Sequence, residues 1–500
     1  MQLLGIDIGT SGCKATIVTC DGDVSAQAYC EYNLLMSEAG VVELDPSLVY
    51  ASVHEVMRKV LADHRKKEIG AICVSSFGEA VVPVDHNGEV LRHAMIYLDR
   101  RGDEEAEQFR QTFGSERALA ITGASIHPMY SLFKIMWLKK HEPEVYQKTW
   151  KFFLFADYIL LRLGARPHVD YSLAARTMAF DVVKKEWSDD ILYAAGIERE
   201  KFPDPVQSGE IVGYLPDSLL REFGLSGNVA LVAGGHDQPC AALGAGAIQN
   251  GIAVDGLGTT ECVTPSFDAP ILSNAMASCG FACVPHVKKD HYVTYAFTFT
   301  SGALLKWFRN NFGALYESEA IQTNRNIYDV MIEKASPIPQ DLLLLPHFAG
   351  AATPYMDTEA KGLLAGLTLS TQPNDIIGAI LEGITFEMML NLEKLSEAGI
   401  MIDELRVVGG LAKSEHFLQM KADMMGKRIA SLQVSEAGTM GVAILAGTAI
   451  GEYHSLEDAV RRLVKTKKVF EPNRSETERY HEKFLTYQRL YSAMKMIYQK

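Results

Sequence analysis

The chain has 500 residues, too many for one ordinary hydrophobic core, so about two to four domains are expected. Its 62 acidic residues against 48 basic ones give a net charge of −14, which argues against nucleic acid or an anionic membrane surface as the main partner. The start, Met1-Gln2-Leu3-Leu4-Gly5-Ile6-Asp7, lacks a basic segment followed by an apolar one, and no stretch gives about 18 uninterrupted apolar residues. Neither a signal peptide nor a membrane span is expected.

The eight cysteines, at 13, 20, 30, 73, 240, 262, 279 and 283, are scattered. Cys279 and Cys283, with His286 and His291 nearby, have no second pair at zinc-site spacing. Reduced thiols in a cytoplasmic protein are the expectation.

Leu3 to Ile8 is an apolar run with one acid, Asp7, near its end. It breaks at Gly9-Thr10-Ser11-Gly12 and resumes as Cys13 to Val18 before Asp21-Gly22. Two antiparallel strands and a tight turn are predicted, with Val24–Glu31 as a third strand. Free amides in such a turn can cradle phosphate oxygens; the plainer reading is a hairpin carrying a surface acid. Asp45-Pro46 starts a predicted helix over 48–66. A short strand at 69–74 then runs into the polar loop Ser75-Ser76-Phe77-Gly78-Glu79. Val81–Val84 with Asp85-His86-Asn87-Gly88 suggests another hairpin, and helices are predicted over about 103–113, 131–141 and 156–163.

Val229–Ala233 predicts a strand broken by Gly234-Gly235-His236-Asp237-Gln238, with a helix opened by Pro239. Asp255-Gly256-Leu257-Gly258-Thr259-Thr260 then echoes Asp7-Ile8-Gly9-Thr10, which suggests an internal duplication with a boundary near 245–252. Strands around 279–284 and 292–298, and helices near 302–312 and 374–398, come next. A strand at 405–408 leads into Gly409-Gly410-Leu411-Ala412-Lys413-Ser414 and a helix to Met425. One amphipathic helix over 475–498 closes the chain. Strands giving way to helices indicate a mixed α/β fold.

The chain has neither a Gly-x-x-x-x-Gly-Lys-Ser/Thr phosphate loop nor a Gly-x-Gly-x-x-Gly after its first strand. Three glycine turns remain, at Gly9, Gly258 and Gly409-Gly410. Two of them facing each other across a cleft could hold a polyphosphate, and the third could lie against a flat base. Asp237 suits a general base for hydroxyl deprotonation, and an ionised aspartate with an ordinary pKa would serve; its alternative is to cap the following helix. His236 reads more simply as a structural histidine.

Several longer stretches resemble the FGGY carbohydrate kinases, the family of glycerol kinase, xylulokinase, gluconokinase and fuculokinase. Met129-Tyr130-Ser131-Leu132-Phe133-Lys134-Ile135-Met136-Trp137-Leu138-Lys139-Lys140-His141 is similar to the first family signature. Gly362-Leu363-Leu364-Ala365-Gly366-Leu367, with Asp375-Ile376 and Ala379-Ile380-Leu381-Glu382, is similar to the second. The likeness runs to Gly438-Thr439-Met440-Gly441-Val442-Ala443. It implies two actin-like, ribonuclease H-like domains, 1–247 and 248–500, with the active site in the cleft between them.

On this resemblance ATP binds Gly9, Thr10, Ser11 and Lys14 of the first turn, Gly258, Thr259 and Thr260 of the second, Gly302, and Gly409, Gly410, Ala412 and Ser414. Asp7 positions Mg²⁺ through water, and Asp237 is the catalytic base. The substrate, a sugar or polyol, meets Gly78, Glu79, Tyr130, Asp237 and Gln238, with Asp99 and Arg100 closing the same region or forming a surface ion pair. Xylulokinases carry Met-His where this chain has Phe77-Gly78, and glycerol kinase carries Arg-Glu, of which only Glu79 remains. Phe-Gly is closer to deoxy-ketose kinases such as fuculokinase. An acid at Glu79 suits hydroxyl recognition and disfavours an acid sugar such as gluconate. Many relatives are dimers, so a homodimer is one expected assembly. The rival reading is an actin-like ATPase used as a switch or scaffold, which Asp237-Gln238 and the polar loop at 75–79 disfavour.

Overall fold

The computed structural model describes residues 1–37, 40–62, 68–335, 342–433 and 436–498. Its frame is two sheets. In the first, β1 (Gln2–Ile8) pairs antiparallel with β2 (Gly12–Thr19), and β2 with β3 (Val24–Glu31). On the other side β1 runs parallel to β4 (Ile69–Ser76), and β4 parallel to β6 (Ala230–His236), whose free edge carries the antiparallel β5 (Ile211–Tyr214). The second sheet repeats this plan. β7 (Gly251–Leu257) pairs antiparallel with β8 (Glu261–Phe267), and β8 with the short strand Ala296–Thr298. β7 also runs parallel to β9 (Ile402–Gly409), β9 parallel to β10 (Arg428–Leu432), and β11 (Thr466–Phe470) closes the edge antiparallel. Leaving aside the antiparallel edge strands β5 and β11, both sheets have the order third, second, first, fourth, fifth, the repeated plan suggested by the glycine turns.

Side chains of β1 alternate between two buried layers, as the pleat requires. Leu4, Ile6 and Ile8 join Val49, Val53 and Val56 of α1 (Pro46–Ala62). Leu3 points the other way, into a layer with Leu243 of α4 (Asp237–Gly244) and Val442, Ala443 and Ala446 of α8 (Ala437–Ala449). Between these in chain order lie α2 (Ser131–His141), α3 (Phe155–Arg162), α5 (Gly302–Phe312), α6 (Pro373–Glu397) and α7 (Glu415–Met425). A helix from the end of the chain thus covers one face of the sheet formed at its beginning.

That packing depends on two glycines. A Cβ on Gly244 would stand 1.8 Å from the Ala437 carbonyl oxygen, and one on Gly441 would stand 1.9 Å from that of Cys240. Both atoms are helix backbone and cannot yield without separating α4 from α8. Gly441→Ala gains about 1 kcal/mol of helix propensity, but overpacking typically costs about 1–3 kcal/mol and here the contact is with backbone. A net loss near the upper end of that range is expected in chemical denaturation, and an unchanged midpoint would refute the direct crossing.

Several predicted elements differ. Ser75 and Ser76, expected in a loop, extend β4, and β6 runs on to His236 instead of breaking at Gly234. Val82–Val84 pairs mainly with Lys151–Phe153, with only a bridge from Val84 to Val90 across the expected hairpin. A helix at Ser115–Thr122 was not predicted, and the strand expected over 279–284 shrinks to Val284–Pro285. The C-terminal helix is two, α9 (Arg474–Tyr487) and α10 (Leu490–Tyr498). The last part of the helix predicted to residue 66 lies outside the described residues. Among the described residues, no helix is long and apolar enough to cross a membrane.

Candidate active site

The first turn joins β1 and β2 by a Gly9 amide donating to the Gly12 carbonyl at 2.9 Å, with the Tyr32 hydroxyl on the Gly9 carbonyl at 2.7 Å. The expectation of wholly free amides is thus corrected at Gly9. Among the described residues the amides of Thr10 and Ser11 have no intramolecular partner, so two remain to receive an anion. Asp7 lies on the α8 face, where its carboxyl group would be 3.5 Å from a Cβ on Gly438 in the first turn of that helix. Ser75 Oγ, on the neighbouring parallel strand, donates to Asp7 Oδ1 at 2.6 Å. Burial raises the Asp7 pKa, opposed by Ser75 and by Lys14 opposite it on β2. Lys14 itself pairs with Glu436 at 2.6 Å, so its charge is already engaged.

The second turn corrects the apparent echo. Ile8 pairs with Cys13 at the mouth of the first turn, and Leu257 with Glu261 at the mouth of the second, which is one residue shorter. Counting from these pairs, Gly256 occupies the station of Asp7, and Asp255 falls one residue away on the opposite face. There Lys421 of α7 stands 2.7 Å from Asp255 and 2.5 Å from Glu261, all three side chains fully buried. Asp255 is thus a structural partner of Lys421, and Asp7 has no acidic counterpart at the second turn.

A pocket of about 720 Å³ opens beside the second turn, lined among others by Gly258, Thr259, Gly302, Lys306, Gly410 and Ser414. The Gly302 amide, first in α5, donates to the Gly258 carbonyl at 3.0 Å, so the helix N-terminus is tied to the turn. Gly409 has φ +100°, and a Cβ there would meet the Leu257 carbonyl oxygen at 2.6 Å, whereas nothing lies within 4 Å of a Cβ on Gly410. The first glycine turns the chain and the second leaves a bare wall. Ser414 accepts from the Phe417 amide at 3.3 Å as the cap of α7. The structure thus brings five of the expected nucleotide residues to one pocket. Thr260 and Ala412 flank it in the same two loops, while Gly9, Thr10, Ser11 and Lys14 belong to the first sheet.

Asp237 is the first residue of α4, whose cap is His236 without a side-chain hydrogen bond, so the capping alternative for Asp237 is not realised. Its side chain keeps 31% of its surface open, yet Oδ1 is buried and has no hydrogen-bond partner. His236 Nε2 is 3.2 Å from that oxygen, without hydrogen-bond alignment, and His236 Nδ1 meets the Tyr295 hydroxyl at 3.0 Å. Burial holds His236 neutral. The Asp237 carboxyl is pushed up to about 8, chiefly by desolvation and then by the negative charges of Asp7 and Glu79. Three acids converge here.

Glu79 is buried and paired with Arg176, which lies 5.1 Å over the Tyr130 ring. Phe77 points inward onto Phe155. Asp99 is buried against Arg101 and the Val42 amide, and Arg100 pairs with Asp103, so neither serves the cleft. Gln238 is half-buried next to Asp237. Sequence reasoning missed Arg176, Tyr295 and Tyr97, whose phenol feels the charges of Glu79 and Asp237. The one available sign was a lone cation in the stretch Tyr171-Ser172-Leu173-Ala174-Ala175-Arg176-Thr177-Met178-Ala179-Phe180.

Two family models match: the N-terminal domain of the FGGY family of carbohydrate kinases over residues 2–244, and its C-terminal domain over 256–450. The chain belongs to the FGGY family of carbohydrate kinases. A xylulose kinase of Bacillus subtilis (strain 168) is 30% identical over 498 residues, covering 99% of this chain and 97% of that protein. Among solved structures, xylulose kinase from Rhodospirillum rubrum superposes with a TM-score of 0.89 at 23% identity over the whole of both chains. Plasmodium falciparum glycerol kinase with ADP does so with 0.87 at 21%, covering 98% of each chain. The two like-ordered sheets are thus the actin-like domains of an FGGY carbohydrate kinase.

Among the described residues no group of three or more His, Cys, Asp or Glu forms a metal cage. Mg²⁺ beside a nucleotide would ask for none, since it is generally held by one or two carboxylates, several waters and the phosphates. Asp7, with one oxygen on Ser75, and the unpartnered Asp237 Oδ1 fit that requirement.

Proposed function

We propose that this kinase transfers the γ-phosphoryl group of ATP to a primary hydroxyl of a ketose or polyol, with Asp237 as general base. The observation that carries this reading is the buried, unpartnered Oδ1 of Asp237 beside a side chain still open to the cleft. An acceptor oxygen of raised basicity receives a hydroxyl proton and aligns the attacking oxygen, which is most of what phosphoryl transfer asks of a base. Asp7 would hold the hydrated metal, which when bound neutralises charge on the phosphate oxygens. The free amides of Thr10 and Ser11 and the turn at Gly258, Thr259 and Thr260 would hold the phosphates from two sides. Gly302, Gly409, Gly410, Ala412 and Ser414 would form the adenosine side of the 720 Å³ pocket. Lys14, already bound to Glu436, would tether α8 to the phosphate turn and lend its charge from there. Gly78, Glu79, Tyr130 and Gln238 would meet the acceptor, and residues 1–247 and 248–500 would close over it to exclude water.

ADP release measured with D-xylulose, glycerol, L-fuculose and D-gluconate tests this. A ketose or polyol should raise ATP turnover well above the rate with water alone. If none of them does, the kinase reading gives way to the switch or scaffold.

A further inference from the structure

Arg176 follows the short helix Tyr171–Ala175 and turns its guanidinium into the wall beside Asp237. Its Nε donates to Glu79 Oε1 at 2.5 Å and its Nη2 contacts the same oxygen. Its guanidinium carbon lies over two phenol rings, 5.1 Å from the centre of Tyr130 and 5.6 Å from that of Tyr295. Glu79 is held in turn: its φ is +65°, and its carbonyl receives Ser131 Oγ at 2.9 Å and Lys134 Nζ at 3.4 Å. A Cβ on Gly78 would come within 2.8 Å of Arg176 Cγ, so the glycine makes the space that the arginine fills. Tyr295 then leads through His236 to Asp237.

Only one oxygen of Glu79 is used. Among the described residues Oε2 has no hydrogen-bond partner, while the guanidinium of Arg176 is also engaged by the Tyr130 side chain. One carboxylate oxygen is therefore left to accept from a hydroxyl of the acceptor, while the guanidinium is held by Glu79 and Tyr130. The charges facing this point are Glu79, Asp237 and Asp7 on the negative side and Arg176 on the positive, with Lys134 pushed down to about 7 by burial and His236 neutral.

We propose that Glu79 and Arg176 together form the acceptor-selecting element of the cleft: an internally neutralised ion pair that binds an uncharged polyhydroxy acceptor and rejects an aldonate. While Glu79 occupies the arginine, an added carboxylate finds no free cation at this point. Remove the Glu79 charge, and the guanidinium becomes a free fork for a carboxylate.

The inference rests on the kinase reading and is tested with the same acceptors. Glu79→Gln should raise the ratio of kcat/KM for D-gluconate over that for the best neutral acceptor by about tenfold or more, one decade being about 1.4 kcal/mol of differential binding. Arg176→Lys keeps charge and bulk but loses the fork, and should raise the acceptor KM about tenfold with the ATP KM unchanged. If the wild type answers to no acceptor, the kinase reading itself falls. If the wild type works and neither variant moves these quantities, only the selecting element falls. A Glu79→Gln chain that fails to fold leaves the decision to Arg176→Lys, where an unchanged acceptor KM overturns the proposal.

Discussion

Asp237→Ala, or the isosteric Asp237→Asn, should nearly abolish acceptor phosphorylation while nucleotide affinity changes less than about threefold. General base catalysis is commonly worth ~10²-fold or more, so a variant retaining above a tenth of the wild-type rate would remove Asp237 from that role. The raised carboxyl pKa adds a pH signature. Only the ionised carboxylate accepts a proton, so kcat/KM should climb with pH and level off above about 8. Cation bound near Asp7 favours the ionised form, and kcat at saturating MgATP should level off at lower pH. The same shift reaches stability. The folded protein keeps a proton at Asp237 up to about 8, while the unfolded chain releases it near 3.8. The stabilisation this represents is complete below the unfolded value and is lost as pH rises through the folded one. Asp237→Asn escapes that loss, so its melting temperature should match the wild type at pH 4 and exceed it at pH 9. Equal differences at both pH values would mean that Asp237 is not perturbed.

Lys421→Met should cost about 3–5 kcal/mol, because it leaves Asp255 and Glu261 buried on adjacent strands without their shared cation. Desolvation already pushes Glu261 up to about 7, even with the lysine in place. Glu261 begins the strand that leaves the Gly258–Thr260 turn, and Ser301 Oγ, ahead of α5, donates to it at 3.2 Å. The loss should therefore be felt in the pocket, as weaker ATP binding together with a lower melting temperature. Restoring neutrality with Asp255→Asn and Glu261→Gln in the Lys421→Met background should recover much of the stability, since a buried ion cluster and its uncharged isosteres are often close in energy. A triple variant no better than the single one would show that packing, not charge, sets the cost.

What was legible in the sequence was local. Gly9-Thr10, Gly258-Thr259 and Gly409-Gly410 announce themselves as glycines that follow apolar runs, and at Gly409 a close backbone approach and a positive φ require glycine. Asp237 stands out as an acid between a strand and a helix. What depended on distant partners was hidden. Lys14 meets Glu436 across 422 positions, and Arg176 meets Glu79 across 97. The Asp237 pKa arises from burial and from two acids on other segments, so no local pattern carries it. Asp255 misled for a different reason: a one-residue offset is invisible in a motif but reverses the face of a strand.

The cover that α8 provides for the first sheet also sets a timetable for synthesis. Residues 437–449 emerge from the ribosome long after His236 ends the last strand of that sheet, a delay of roughly 10–40 s at bacterial-like elongation rates of about 5–20 residues per second. Throughout that interval Leu3, Ala71, Cys73, Ala230 and Val232 lack the helix that buries them in the finished molecule. The nascent first half is thus an unfinished, apolar-faced body, the kind of surface that holding chaperones bind. Its completion waits on a helix from the second half of the chain.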